Sequence, residues 1–227
     1  MSTRQTAARR PRLSPAEKAR IAELFARFEA REAAPRTELN YSNPYTLVTA
    51  VALSAQATDV GVNKATGPLF AVADNPQAML DLGEAGLIEF IKTIGLYRTK
   101  ARNVMAAARI LVEQHGGQVP LEREALQALP GVGRKTASVV LNELGVEPAI
   151  AVDTHVFRVA HRLKLSTAPT PEAVERELTA KIPAQWLTRA HHWLILHGRY
   201  ICVARRPKCE ICPVADLCPS RALFMGV

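Results

Sequence analysis

Apolar residues recur at helical spacing along most of the chain. The segment that follows Leu13 repeats them every three or four positions as far as Phe28. Ser14, Pro15 and Glu17 stand at its start as N-cap, first-turn proline and capping-box partner. The pattern therefore predicts an amphipathic helix near the beginning of the sequence.

The same periodicity continues through the rest of the sequence, interrupted by glycine, proline and short polar stretches. Asp59 is placed to cap one helix, and Gly116 and Gly145 are placed to end two others. The sequence lacks the alternating pattern and turn signals of hairpins. We therefore expect an all-α fold, with further helices at 44–54, 59–69, 86–95, 99–116, 122–130, 134–145, 153–165, 170–182 and 184–200.

Composition narrows the class of protein. The 227 residues are 48% hydrophobic and 22% charged, which is typical of a globular protein with one domain or two small ones. The formal net charge of +8 favours an anionic partner, either nucleic acid or an anionic membrane surface. No apolar run is long enough to span a bilayer, and the Arg-rich start is not a secretory signal. We expect a cytoplasmic protein that is not secreted, with residues 1–12 as a basic flexible arm; a transit peptide is the alternative.

A glycine turn at 129–145, "LPGVGRKTASVVLNELG", precedes an apolar helix. Gly131 and Gly133 permit positive φ and let the backbone approach a ligand closely. The amides of Val132, Gly133 and Arg134 would then face outward at a helix N-terminus, where phosphate binds well. A nucleotide-binding P-loop is excluded, because Arg134 separates Gly133 from Lys135. The turn therefore predicts contact with a nucleic-acid backbone.

A weak internal repeat accompanies this turn. "IGLYRTKARNV" at 94–104 aligns with "PGVGRKTASVV" at 130–140, and each places a glycine turn before a helix with a basic first turn. The similarity is either chance between two helix starts or a pair of turns that each approach a nucleic-acid strand.

Two residues suggest catalysis. Lys135 is either an exposed first-turn lysine or a nucleophile, since a neutral amine can attack carbon and form a Schiff base. Asp153 stands at the predicted start of a later helix, where aspartate is a good N-cap. Capping leaves carboxylate lone pairs for a second role, and a carboxylate facing a sugar can stabilise a developing oxocarbenium ion.

All four cysteines of the chain form a C-x6-C-x2-C-x5-C pattern. Two disulfides within seventeen residues would require an oxidising compartment. Zinc sites usually contain two paired C-x2-C segments, whereas this pattern has one. The spacing favours an iron–sulfur cluster, with zinc and disulfides as alternatives, and its ligands would be Cys202, Cys209, Cys212 and Cys218.

The first two cysteines enclose the basic segment "VARRPK". A loop fixed at both ends would present Arg205, Arg206 and Lys208 as rigid cations, which suits contact with phosphates.

Taken in order, LPGVGRKTA, AVDTH and the four-cysteine pattern resemble the endonuclease III family of helix-hairpin-helix DNA glycosylases. "LSAQATD", "IGLYRTKA" and "HHWLILHGRYIC" match the same family, so the resemblance covers roughly residues 13–218. It implies a bifunctional DNA glycosylase and AP lyase of base excision repair with one [4Fe-4S] cluster. The expected partner is double-stranded DNA containing oxidised or ring-saturated pyrimidines or abasic sites, and we expect a monomer.

The resemblance also implies two helical domains with a DNA cleft between them. A six-helix barrel with the helix-hairpin-helix would span residues 37–147. A discontinuous cluster domain would combine residues 13–36 with 148–227. Lys135 and Asp153 would come from different domains and meet at the cleft.

Individual roles follow from the matching positions. Lys135 matches the nucleophile that attacks C1′, and Asp153 the carboxylate that assists lysine deprotonation or stabilises charge on the sugar. Gln56 matches a residue that fills the space left by the extruded base. Leu96 matches an apolar wedge beside the opposite strand. Alternatively, Gln56 is a polar residue at a helix end and Leu96 a core leucine.

Two other functions remain open. One is a monofunctional adenine glycosylase of the same fold, although such relatives lack a lysine at the position of Lys135 and carry an added C-terminal domain. The other is a non-catalytic helix-hairpin-helix DNA-binding protein, which would not need Lys135 together with Asp153.

Overall fold

The computed structural model describes residues 13–225, and the arm predicted at 1–12 lies outside the described residues. The described chain contains no β-strand, which confirms the all-α prediction. None of its helices has the length and apolar character needed to cross a membrane. Its α-helices are α1 Pro15–Arg31, α2 Pro44–Leu53, α3 Asp59–Phe70, α4 Pro76–Ile91, α5 Tyr97–His115, α6 Arg123–Ala128, α7 Arg134–Glu143, α8 Thr154–Arg162, α9 Pro171–Lys181, α10 Leu187–Tyr200 and α11 Ala222–Met225.

The helix starts follow the capping rules with some corrections. The Ser14 hydroxyl accepts a hydrogen bond from the Glu17 amide at 3.1 Å, as predicted. The Glu17 carboxylate, however, is bound to Arg20 at 2.7 Å. Asp59 was expected as the cap of α3, but Thr58 holds that place and accepts from the Gly61 amide.

Helix α4 begins ten residues earlier than expected. Asn75 caps it by accepting a hydrogen bond from the Ala78 amide at 2.9 Å, and Pro76 occupies the first turn. Gly83 has φ +72° and breaks the helix internally. That break interrupts the helical periodicity, which explains why only the part from Gly86 onward was predicted from the sequence.

The chain divides into two compact units, each with its own apolar core. Residues 36–148, called here the hairpin unit, contain α2 to α7. Residues 13–35 and 149–225, called here the cluster unit, contain α1 and α8 to α11. The fully buried side chains of the hairpin unit include Leu47, Leu53, Leu69, Met79, Leu87, Ile91, Leu111 and Leu126.

The cluster unit joins α1 to the C-terminal third of the chain through aromatic packing. Phe25 is fully buried and lies against Trp186 and Trp193, with ring centroids 6.2 and 6.3 Å away. The Trp193 indole donates to the Glu32 carbonyl oxygen at 2.8 Å. Truncation of such a core aromatic costs about 3–5 kcal/mol. This core fixes the elements that carry the cysteine loop and the N-terminus of α8.

Candidate functional site

The glycine turn between α6 and α7 depends on Gly131. Its φ of +83° lies in the left-handed region that glycine adopts without a steric cost. A Cβ atom at this position would stand 3.1 Å from Cβ of Asn103 on α5. Both the backbone conformation and the close approach of α5 therefore require glycine.

The other turn residues differ in part from expectation. Gly133 has φ −85° rather than a positive value, and it is the N-cap of α7 without a side-chain cap. A Cβ atom there would meet no neighbour within 4 Å, so glycine leaves an open approach to the backbone. The Val132 amide was expected to face outward, but it donates to the Leu129 carbonyl oxygen at 3.0 Å. Its side chain is buried, so Val132 holds the turn together.

Lys135 occupies the first turn of α7 and is exposed, as are Gly133 and Arg134 beside it. The uncapped start of a helix attracts anions through its backbone dipoles. The exposed Lys135 side chain therefore lies beside the N-terminus of α7, where a phosphate can bind.

Asp153 is the N-cap of α8 in the cluster unit. Its Oδ1 accepts hydrogen bonds from the amides of His155 and Val156, each at 2.8 Å. Both capping bonds use the same oxygen, so the cap does not occupy Oδ2. The side chain is half-buried, and the two capping bonds orient its carboxylate.

Gln56 and Leu96 share an unusual backbone conformation. Both have positive φ, +56° and +61°, which costs a residue with a side chain about 1–2 kcal/mol. Gln56 is exposed in the turn between α2 and α3. Leu96 is 62% exposed, so it is not a core residue. The Cβ position of Gly95 lies only 3.9 Å from the Gln56 carbonyl oxygen. The two strained turns are therefore neighbours in the hairpin unit.

The four cysteines line one cavity that opens to solvent. All four thiols are free and half-buried, so the disulfide alternative is wrong. Within the described chain, no three Cys, His, Asp or Glu side chains converge as ligands of a single metal ion would. In a [4Fe-4S] cluster each cysteine binds a different iron, so separated thiols around one cavity fit the cluster better than a zinc ion.

Burial in the cavity disfavours the thiolate form of three of the cysteines. Burial raises the pKa of Cys212 to about 11, and burial followed by the nearby thiols raises the pKa of Cys209 and Cys218. Metal binding offsets this cost by stabilising the thiolate form. The donor set therefore suits an iron–sulfur cluster whose ligands are Cys202, Cys209, Cys212 and Cys218.

Two arginines on α8 hold the first part of the cysteine loop. Arg162 donates to the carbonyl oxygens of Val203 and Ala204 at 2.7 and 2.9 Å, and Arg158 donates to that of Cys202 at 3.0 Å. The sequence analysis missed both, although their i, i+4 spacing on the helix capped by Asp153 was a detectable signal.

Arginines of α1 hold the end of the same loop. Arg20 donates to the Leu217 carbonyl oxygen at 2.9 Å, and Arg27 pairs with Asp216 at 2.6 Å. These contacts therefore hold the loop to α8 and α1 without any contribution from a cluster.

The cationic segment between the first two cysteines is presented to solvent. Arg205, Arg206 and Lys208 are all exposed, and Arg206 has φ +53°. The Lys208 amide donates to the Ile201 carbonyl oxygen at 3.0 Å and closes the segment. These charges therefore lie on a constrained loop.

Comparison with known proteins decides the family. Residues 49–184 match the HhH-GPD superfamily of base excision DNA repair proteins. Residues 202–218 match the iron–sulfur binding domain of endonuclease III. Endonuclease III of Escherichia coli K12 is 54% identical over 201 residues, which are 88% of this chain and 95% of that protein. The chain belongs to the endonuclease III family.

Other members agree with this assignment to the endonuclease III family. Endonuclease III of Rickettsia conorii is 54% identical over 87% of this chain and 94% of its own length. The structure of a trapped endonuclease III–DNA covalent intermediate matches with TM-score 0.84 and 40% identity, covering 92% of this chain and 98% of that one. A non-covalent endonuclease III–DNA complex matches with TM-score 0.85 and 39% identity, covering 92% and 99%.

Membership of the endonuclease III family fixes the general activity. The chain is a DNA glycosylase and AP lyase of base excision repair, it acts on DNA, and it carries a [4Fe-4S] cluster. The matched iron–sulfur binding domain, residues 202–218, contains all four cysteines. These findings confirm the predictions of family, enzyme class and cofactor made from the sequence.

Proposed function

We propose that this enzyme removes oxidised or ring-saturated pyrimidines from double-stranded DNA, with Lys135 as the nucleophile. The observation that carries the proposal is the exposed lysine in the first turn of α7, directly after the glycine turn. The trapped covalent intermediate of an endonuclease III, 40% identical to this chain, supports a covalent route.

The chemistry assigned to Lys135 has two stages. Its neutral amine attacks C1′ of the damaged nucleotide, the bond between C1′ and the base breaks, and the base leaves with a proton. The C1′–O4′ bond then breaks, O4′ takes up a proton as the sugar ring opens, and the nitrogen of Lys135 forms an imine with C1′. This imine acidifies the C2′ protons. Loss of one of them expels the 3′ phosphate by β-elimination and cuts the strand.

Asp153 supplies the negative charge for the first stage. It either accepts a proton from the attacking lysine or stabilises positive charge that develops on the sugar. The capping bonds to Oδ1 orient the carboxylate for either role. We also propose that the hairpin and cluster units are the two domains expected from the sequence, and that the enzyme works as a monomer.

The remaining residues position the DNA. The backbone at Gly133 and the side chain of Arg134 contact a phosphate near the lesion. Gln56 fills the space that the extruded base leaves, and Leu96 stands beside the opposite strand. The exposed cations Arg205, Arg206 and Lys208 contact the backbone from the cysteine loop, whose order the cluster maintains.

Borohydride trapping tests the proposal. Wild-type enzyme incubated with abasic or thymine-glycol duplex should form a covalent complex on reduction, and Lys135→Gln should abolish it while DNA binding largely remains. Lys92→Gln is the matched control, because Lys92 is an exposed lysine of the same unit, paired with Glu89. Trapping that survives in Lys135→Gln would place the nucleophile elsewhere.

Strand cutting separates the alternative functions. A monofunctional adenine glycosylase would excise its base and leave the abasic strand uncut, and a non-catalytic binder would leave both substrates intact. A panel of duplexes with single defined lesions would then test the preference for damaged pyrimidines.

A further inference from the structure

Lys100 is a buried cation that the proposed mechanism does not use. It lies in the first turn of α5 and is only 7% exposed. Its Nζ is inaccessible to solvent and has no hydrogen-bond partner among the described residues. Removal of an ammonium from water without a partner costs several kcal/mol, so the contacts seen here do not explain why a lysine occupies this position.

The direction of the side chain follows from helix geometry. Side chains of an α-helix point back toward its N-terminus and cover the preceding turn. The stem of Lys100 therefore runs toward Leu96, whose carbonyl oxygen accepts the Lys100 amide at 3.0 Å. Gly95, the next residue back, lies against the Gln56 carbonyl oxygen. The Lys100 side chain is thus directed toward the turn that carries Leu96, which neighbours the Gln56 turn.

The positive charge around Lys100 requires hydrogen-bond acceptors to offset it. Leu96 is the N-cap of α5 and provides no side-chain cap. The positive end of the helix dipole and the Lys100 ammonium therefore act in the same region. Burial lowers the pKa of Lys100, which reflects the same shortage of compensating groups. Backbone carbonyl oxygens of the Gln56 turn are candidate acceptors, because that turn lies against Gly95, just before the start of α5.

We propose that Lys100 is a positioning residue for base extrusion. When DNA is bound, its ammonium donates hydrogen bonds to backbone carbonyl oxygens of the Gln56 turn and holds that turn against the Leu96 turn. Gln56 and Leu96 are then fixed relative to each other while the damaged base leaves the stack. The inference rests on the proposed function, in which these two side chains enter the DNA.

Lys100→Met provides the first test, because methionine preserves much of the length and removes the charge. Loss of an uncompensated buried charge should leave the melting temperature unchanged or raise it. Base extrusion, followed by stopped-flow fluorescence of 2-aminopurine beside a thymine glycol, should become about 10-fold to 100-fold slower. Single-turnover excision of thymine glycol should fall by the same factor. Cutting of a preformed abasic site should change little, because no base remains to be extruded.

Two further variants sharpen the test. Lys100→Arg retains the charge and should restore part of the extrusion rate, and it takes the place of the methionine variant if that variant does not fold. Lys92→Met removes one positive charge from an exposed lysine of the same unit and should leave extrusion at the wild-type rate.

Several results would overturn the proposal. One is an extrusion rate in Lys100→Met equal to that of the wild type. Another is an equal loss on thymine-glycol and abasic substrates, which indicates a general structural role. Failure of the wild type to excise thymine glycol would instead refute the proposed action on damaged pyrimidines, and the 2-aminopurine signal would still report on Lys100.

Discussion

The Arg162 guanidinium carbon lies 4.4 Å from the centroid of the Phe224 ring, at the edge of the cavity lined by the four cysteines. Arg162 also contacts the Cys202 Sγ at 3.4 Å and donates to the Val203 carbonyl oxygen. A cation against an aromatic face is stabilised more strongly when water is excluded. Phe224 therefore covers one face of an arginine that touches Cys202.

The first prediction follows from this contact. Phe224→Ala should admit solvent and oxidant to the cavity, so the cluster absorbance near 400 nm should bleach faster in air. Freshly purified protein should still hold about four irons, as Cys₄ ligation of a [4Fe-4S] cluster implies. Leu223→Ala is the control, because Leu223 is adjacent and 80% exposed. Equal bleaching rates in the two variants would show that the ring does not protect the cluster.

The second prediction separates the two glycines of the turn. Gly131→Ala forces a side chain into positive φ and toward Asn103, so it should lower the free energy of unfolding by about 1–3 kcal/mol. Gly133→Ala meets neither obstacle, so it should keep the melting temperature and weaken DNA binding by obstructing the backbone. Thermal melts and equilibrium binding to abasic-analogue duplex measure both effects. If the Gly133→Ala variant binds DNA normally, the Gly133 backbone is not part of the phosphate site.

Most of the helices, some of their caps and the iron–sulfur cluster could be predicted from the sequence, because each leaves a local signal. Ser14 precedes a proline and an apolar repeat, and the four cysteines have a defined spacing. The hydrogen bonds from Arg158 and Arg162 to the cysteine loop could not be predicted in full. Arg162, for example, donates to carbonyl oxygens about forty residues away along the chain. Such contacts depend on how α8 packs in the cluster unit.

Backbone conformation was the other feature that could not be predicted from the sequence. Gln56 and Leu96 have positive φ although neither is glycine. Gly95 signals a turn beside Leu96, but the residue types do not show which position takes the positive φ. The sequence also suggested an outward amide at Val132, which the turn uses internally. The burial of Lys100 opposes the usual exposure of lysine, and only the tertiary fold reveals it.

The third prediction concerns Asp153. Asparagine caps helices about as well as aspartate, so Asp153→Asn should keep stability within about 0.5 kcal/mol. The loss of negative charge should impair base excision more than cutting of a preformed abasic site, whose sugar already exposes an aldehyde. Single-turnover rates on matched thymine-glycol and abasic duplexes measure the difference. Equal losses on both substrates would contradict the role assigned to the carboxylate.

The last prediction compares two sets of cations. Arg205, Arg206 and Lys208 lie on a loop held by Arg158, Arg162 and the Ile201 carbonyl oxygen, so their positions relative to α8 are fixed. Fixed charges set the register of the DNA as well as the affinity. Their joint replacement by glutamine should lower affinity, reduce the salt dependence by about one unit per lost phosphate contact, and slow excision even at saturating enzyme.

Residues 2–12 provide the comparison, because they carry Arg4, Arg9, Arg10 and Arg12 and lie outside the described residues. Their deletion should weaken binding to damaged and undamaged DNA alike and leave saturated excision unchanged, because a sequence-independent attraction to phosphates adds affinity without alignment. Both variants should be measured between about 50 and 200 mM salt, where such contacts change affinity most clearly. If the deletion slows saturated excision and the loop variant does not, the alignment of the lesion depends on the N-terminal cations, and the loop contributes affinity alone.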